Sequence, residues 1–136
     1  MAVTSGFNHV ATLTSDMDRT VAFYGTAFGA EVTFTMEKTE DHPKMCVLDL
    51  GAGAALNVFE VPAEDLIGER RQQGKRGAID HFALAVETRE ELDVVRRRLE
   101  EAGAEEVGEV QQLGDIWSLF FRDADGMELE VCAPAG

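Results

Sequence analysis

Two of the chain's three histidines stand in matching places. His9 is the third residue of "FNHVATLT" (7–14), and His81 is the third residue of "IDHFALAV" (79–86), 72 positions later. A carboxylate, Glu130, lies in a third apolar stretch, "MELEVCA" (127–133). Two imidazoles and a carboxylate make up the facial set that suits Fe(II) and also serves Mn, Ni or Zn. Such a set leaves coordination positions open for a water and two oxygens of a substrate. A single histidine on a strand is more often an ordinary core or edge residue. The repeated position is what points to shared chemistry. Burying Glu130 with neither cation nor donors would be costly, so a facing partner is expected. Arg122 or a backbone group is the alternative to a metal.

The elements that must position these groups also repeat. After the His9 strand, "SDMDRTVAFYGTAFG" (15–29) spaces Met17, Val21, Tyr24 and Phe28 along one helical face. Ser15 with Asp18 suggests a capping box, and Gly29 a stop. Strands are expected over 31–38, 44–50 and 54–61. After the His81 strand, "TREELDVVRRRLEEAG" (88–103) aligns Leu92, Val95, Leu99 and Ala102, with Thr88 and Glu91 as its capping box. Three more strands are expected around 104–111, 117–121 and 127–133. The fold class is therefore α+β, two pseudo-symmetric βαβββ modules forming a curved mixed sheet around a cavity. Module one covers 7–61, a polar linker 62–77, and module two 78–133, all within a single domain.

Strand alternation assigns the faces. Phe82, Leu84, Val86, Leu129 and Val131 belong to the helix side. His81, Ala83, Ala85, Glu128, Glu130 and Cys132 face the other way, as do His9, Ala11 and Leu13 in the first strand. An offset of 73 residues aligns Leu56 with Leu129 and Val58 with Val131. Asn57 then corresponds to Glu130, and Glu60 points to the opposite face. A pseudo-twofold arrangement would bring His9, Asn57, His81 and Glu130 toward one cavity. Met45, Phe59, Trp117 and Phe120 are apolar enough to line it and are equally ordinary core residues. His42 sits in a polar turn, and Glu128, next to the Asp125–Gly126 turn, is expected to be exposed. Arg70, Arg71, Lys75 and Arg76 read as a solvated linker cluster, and Arg96–Arg98 as a salt-laced outer helix face.

Charge limits the partners. The 26 acidic and 12 basic residues give a formal charge of −14, which repels phosphate backbones and anionic lipid. Nucleic acid and membrane are thus not expected partners. No apolar run approaches the roughly 18–20 residues that span a bilayer. Cys46 and Cys132 have no metal-ligand spacing and read as reduced thiols of a cytoplasmic protein.

The motifs "FNHVATLTSDMDRTVAFYGTAFG" (7–29), "IDHFALAV" (79–86) and "FRDADGMELEV" (121–131) resemble those of the vicinal oxygen chelate superfamily, the glyoxalase, bleomycin-resistance and dioxygenase group. Ala124 stands where the family's Asp-Pro-Asp-Gly hairpin has proline. The resemblance covers about residues 7–133. It implies one divalent metal (Fe, Mn, Ni or Zn) held by His9, His81 and Glu130, with Asn57 as a weak fourth ligand or substrate contact. Ser118 and Phe120 would face that metal. It also implies a small-molecule substrate and a homodimer. Glyoxalase I places a carboxylate or glutamine at the Asn57 position, so dioxygenase-type chemistry is favoured over glyoxalase-type lyase or isomerase chemistry. The alternative is a non-catalytic protein that sequesters a small molecule, like the bleomycin-resistance relatives.

Overall fold

The computed structural model describes residues 1–66 and 79–136. The basic cluster Arg70, Arg71, Lys75 and Arg76, and most of the linker, lie outside the described residues. Module one runs β1 (His9–Thr14), α1 (Met17–Phe28), β2 (Glu31–Met36), β3 (Met45–Gly51) and β4 (Ala54–Glu60). Module two runs β5 (Phe82–Ala85), α2 (Arg89–Glu101), β6 (Gln111–Leu113), β7 (Ile116–Arg122) and β8 (Glu128–Pro134). The strands form two four-stranded mixed sheets, ordered β1-β4-β3-β2 and β5-β8-β7-β6. In each, the first strand lies parallel to the last and the remaining pairs are antiparallel.

Register bears out the internal equivalence. Ala11 pairs with Asn57, and Ala83 with Glu130. Leu48, Leu56 and Val58 from the first sheet share one core with Leu119, Leu129 and Val131 from the second, all with no exposed surface. Between them α1 and α2 pack on each other. Phe121 of β7 stacks near Phe23 and Phe28 of α1, so the core runs across both modules.

Caps account for the helix limits. The α2 capping box forms as expected, Thr88 accepting from the Glu91 N–H and Glu91 from the Thr88 N–H. In α1 the N-cap is Asp16 rather than Ser15, its carboxylate accepting from the Arg19 N–H at 3.1 Å. The Glu60 carboxylate takes the Met17 N–H at 2.7 Å, so the first turn draws its acceptor from β4. Gly29 ends α1 in the left-handed region, φ 67°, where its N–H reaches the Gly25 carbonyl. The strand expected over 104–111 is displaced to β6. Positive φ at Gly103 and Glu106 turns the chain, leaving only an isolated Glu105–Arg122 bridge before Gln111.

The β7–β8 turn ties the modules together. The Tyr24 hydroxyl donates to Asp123 at 2.7 Å, and Asp123 also accepts the Asp125 and Met127 N–H groups. Asp125 in turn accepts from Thr14 at 2.7 Å, Thr20 at 2.8 Å and Arg19 at 2.9 Å. Burial raises the Asp123 carboxyl above its ordinary value, the Tyr24 hydrogen bond working against that. Tyr24→Phe would leave a buried carboxylate short of one donor, at a cost of about 1–3 kcal/mol in unfolding free energy. Urea titration checks this, and an unchanged midpoint and slope would show the contact to be incidental.

Candidate metal centre

On the outer face of the second sheet, two strands present their side chains to each other. His81 immediately precedes β5, and its Nε2 lies 3.0 Å from Oε2 of Glu130 in β8. Behind the ring, Nδ1 meets the Asp80 carboxylate at 2.7 Å. The edge of the Phe120 ring faces the imidazole, centroids 5.4 Å apart. The other Glu130 oxygen, Oε1, accepts the Ser118 hydroxyl at 2.5 Å and the Cys132 thiol at 3.0 Å. Glu130 is 8% exposed and Ser118 fully buried. Arg122 is therefore not the carboxylate's partner. It pairs with Glu106 and reaches Glu128 at 4.0 Å, so Glu128 is half-buried rather than exposed.

The hydrogen bond to Asp80 is the largest influence on His81. With the Glu130 contact it raises the imidazole above 6.5 despite desolvation. Burial would raise Glu130, but the donors Ser118, Cys132 and His81 outweigh it and leave the carboxyl below 4.5. Burial and the neighbouring carboxylate push the Cys132 thiol up to about 12, so it remains a donor. The pair fits a divalent ion. Donor atoms 3.0 Å apart can both reach a metal at about 2.0–2.2 Å with an angle near 90°. Asp80 supplies the carboxylate that commonly orients a metal-binding imidazole from behind.

The first sheet carries the remaining expected residues on its corresponding face. His9 is exposed, its Nδ1 bonded to the Asn8 side chain at 2.8 Å. Asn57 is half-buried between Ala11 and Val47 in the register, and Phe59 between Leu13 and Met45. The His42 ring lies 5.8 Å from that of Phe59 and is half-buried rather than solvated, its Nδ1 2.6 Å from the Pro43 carbonyl. Glu60, on the opposite face as its parity requires, is occupied at the start of α1. A single chain thus brings together His81, Glu130, Ser118 and Phe120, and does not bring His9 to them. Among the described residues no three His, Cys, Asp or Glu side chains converge on a metal position. A cavity of about 250 Å³ at the seam between the modules includes Ala11, Leu13, Asp123 and Met127 but neither histidine. Asp80 was open to sequence reading as the neighbour of His81. The roles of Ser118 and Cys132 needed the strand register.

Paired βαβββ modules, each with a histidine at the head of its first strand, define a two-module scaffold. The chain belongs to the Glyoxalase/Bleomycin resistance protein/Dioxygenase superfamily, whose model it matches over residues 6–131. A glyoxylase/bleomycin resistance protein/dioxygenase domain from Frankia sp. EAN1pec is 28% identical, covering 96% of this chain and 98% of that one, with a TM-score of 0.77. A glyoxalase family protein from Enterococcus faecalis is 27% identical, covering 94% and 97%, TM-score 0.72. The fosfomycin resistance protein FosX of Listeria monocytogenes is 26% identical, covering 97% and 95%, TM-score 0.74. A point mutant of that FosX has been crystallised with Mn(II) and 1S,2S-dihydroxypropylphosphonic acid. No curated protein is significantly similar to this chain.

The two shifts define a pH window. The raised His81 value contributes stability fully present below 6.5 and lost as pH rises through its folded value. The lowered Glu130 value contributes stability present above 4.5 and lost as pH falls through its folded value. The pair therefore supports the metal-free fold most between 4.5 and 6.5. In an NMR titration of metal-free protein the His81 midpoint should lie above 6.5 and fall in Asp80→Asn. A midpoint that Asp80→Asn leaves unmoved would contradict this account.

Proposed function

We propose that the chain is a divalent-metal-dependent enzyme that holds a small molecule by two adjacent oxygens, with His9, His81 and Glu130 as metal ligands. The observation that carries this reading is the His81–Glu130 pair, two ligand atoms 3.0 Å apart on one sheet face, with Asp80 behind the ring. Membership of a superfamily in which FosX has been crystallised with Mn(II) supports it. The bound ion, iron, manganese, nickel or zinc, would supply Lewis acidity and a template for two substrate oxygens, and iron would add oxygen activation. Asp80 keeps the Nδ1 proton, so that loss of the Nε2 proton turns a lone pair toward the Glu130 side. Glu130 brings negative charge. Asn57 offers an amide donor to the substrate, while Phe59, Met45 and Phe120 exclude water. A neutral Asn57 opposite Glu130 in the module symmetry favours dioxygenase-type chemistry over glyoxalase-type lyase or isomerase chemistry.

The site reads as completed between two copies. β1 and β5 are each the end strand of their sheet, and such edges need cover. His9 lies exposed on β1, and its face also exposes Leu13, Phe34 and Met36. A twofold dimer that sets β1 beside the partner's β5 would bring His9 toward the partner's His81 and Glu130, and cover that apolar surface. The free cysteines Cys46 and Cys132 fit a reducing cytoplasmic setting.

Metal content of chelator-free protein should approach one ion per chain and be lost in His9→Ala, His81→Ala and Glu130→Ala. Mixing unfolded His9→Ala and His81→Ala chains and refolding them should restore about a quarter of the wild-type content, because half the dimers are mixed and each regains one of two sites. No recovery on mixing would rule out a shared site. Absence of metal in the wild type after reconstitution with each ion would favour sequestration of a small molecule instead.

A further inference from the structure

We propose that Ser118 and Cys132 are positioning residues that hold one oxygen of Glu130, so that the carboxylate presents only its other oxygen to the metal. The proposal rests on the metal-centre reading above and deepens it. The Ser118 hydroxyl at 2.5 Å and the Cys132 thiol at 3.0 Å converge on the same atom, Oε1. Oε2 is left to face His81 Nε2 at 3.0 Å. Ser118 has no exposed surface, so its hydroxyl is committed to Glu130 and out of reach of a substrate. The antiparallel register sets Ser118 directly across from Cys132, with Glu130 two residues before Cys132 on the same face.

The other half of the molecule is an internal control. The offset that aligns Glu130 with Asn57 aligns Ser118 with Met45 and Cys132 with Phe59, and those two are likewise paired across β3 and β4. Where the carboxylate is replaced by a neutral amide, both donors are replaced by apolar side chains. The donors therefore accompany the charge rather than the fold. The consequence is chemical. A carboxylate with one oxygen already bonded to two donors acts as a one-oxygen ligand. The coordination position its second oxygen would have taken stays open for a substrate that needs two.

The test is titration of the metal-free protein with Mn(II), followed by calorimetry and by the Mn(II) electron paramagnetic resonance spectrum, with thermal unfolding of each metal-free variant alongside. Ser118→Ala should weaken Mn(II) binding about 10- to 100-fold and alter the spectrum of the ion still bound, and Ser118→Cys should recover most of the affinity. Cys132→Val should weaken binding while Cys132→Ser retains it, and this pair decides the matter if Ser118→Ala does not fold. Wild-type affinity and spectrum in folded Ser118→Ala and Cys132→Val would overturn the clamp and leave the metal centre standing. A wild-type protein that binds no Mn(II), Fe(II), Ni(II) or Zn(II) would overturn both.

Discussion

The contact between the Tyr24 hydroxyl and the Asp123 carboxylate, with Thr14, Thr20 and Arg19 converging on Asp125 two residues later, joins the two modules by polar groups at a largely buried seam. A hydrogen bond in such surroundings is electrostatically stronger than in water, and leaving either partner unmade is correspondingly costly. The network therefore admits few relative placements of the modules. The β7–β8 turn cannot move without stripping donors from α1 and β1. Because that same turn opens the strand carrying Glu130, the anchor also fixes the carboxylate. Aromatic packing of Phe121 on Phe23 and Phe28 adds area to the seam, but the directional polar contacts set its register.

With the modules locked, their outer faces diverge in chemistry although the backbones match. The first sheet offers His9 and Asn57 amid Phe59, Met45, Phe34 and Leu13. The second offers His81 and Glu130 with three polar partners. One face thus supplies an exposed imidazole and an apolar wall, and the other a charged pair already oriented by its neighbours. Among the described residues neither face gathers three His, Cys, Asp or Glu side chains around one point. That division is what the proposal of a centre shared between copies rests on, since the chain's own seam is taken up by helices and the Asp123–Asp125 turn.

Much of this was legible in the sequence because local signals and global topology agree. The helical faces of Met17–Phe28 and Arg89–Glu101 and the Thr88–Glu91 box are short-range patterns, and they hold. The pairing of Asn57 with Glu130 also held, since an offset between halves carries strand parity with it. What escaped were features set by distant groups. Asp16 rather than Ser15 caps α1, with the β4 residue Glu60 occupying the first turn. The 104–111 segment forms a regular strand only from Gln111, because positive φ at Gly103 and Glu106 bends the backbone before it. His42 is drawn against Phe59 although its sequence neighbours are polar. The failure of a single chain to unite His9 with His81 is a property of module placement, which no spacing along the chain encodes.

The two halves also show why a carboxylate stands at position 130 and an amide at the equivalent position 57. A buried Glu needs donors for its lone pairs, and β7 and β8 supply them through Ser118 and Cys132. At the equivalent places around residue 57 stand Met45 and Phe59, which donate nothing. A carboxylate there would meet desolvation without compensation and would hold its proton more tightly, making it a poor anionic ligand. An amide avoids that penalty while keeping both a donor and an acceptor. Asn57 is in this sense the residue its neighbours permit, and the asymmetry between Asn57 and Glu130 follows from the packing of the adjacent strands as much as from the chemistry of the centre.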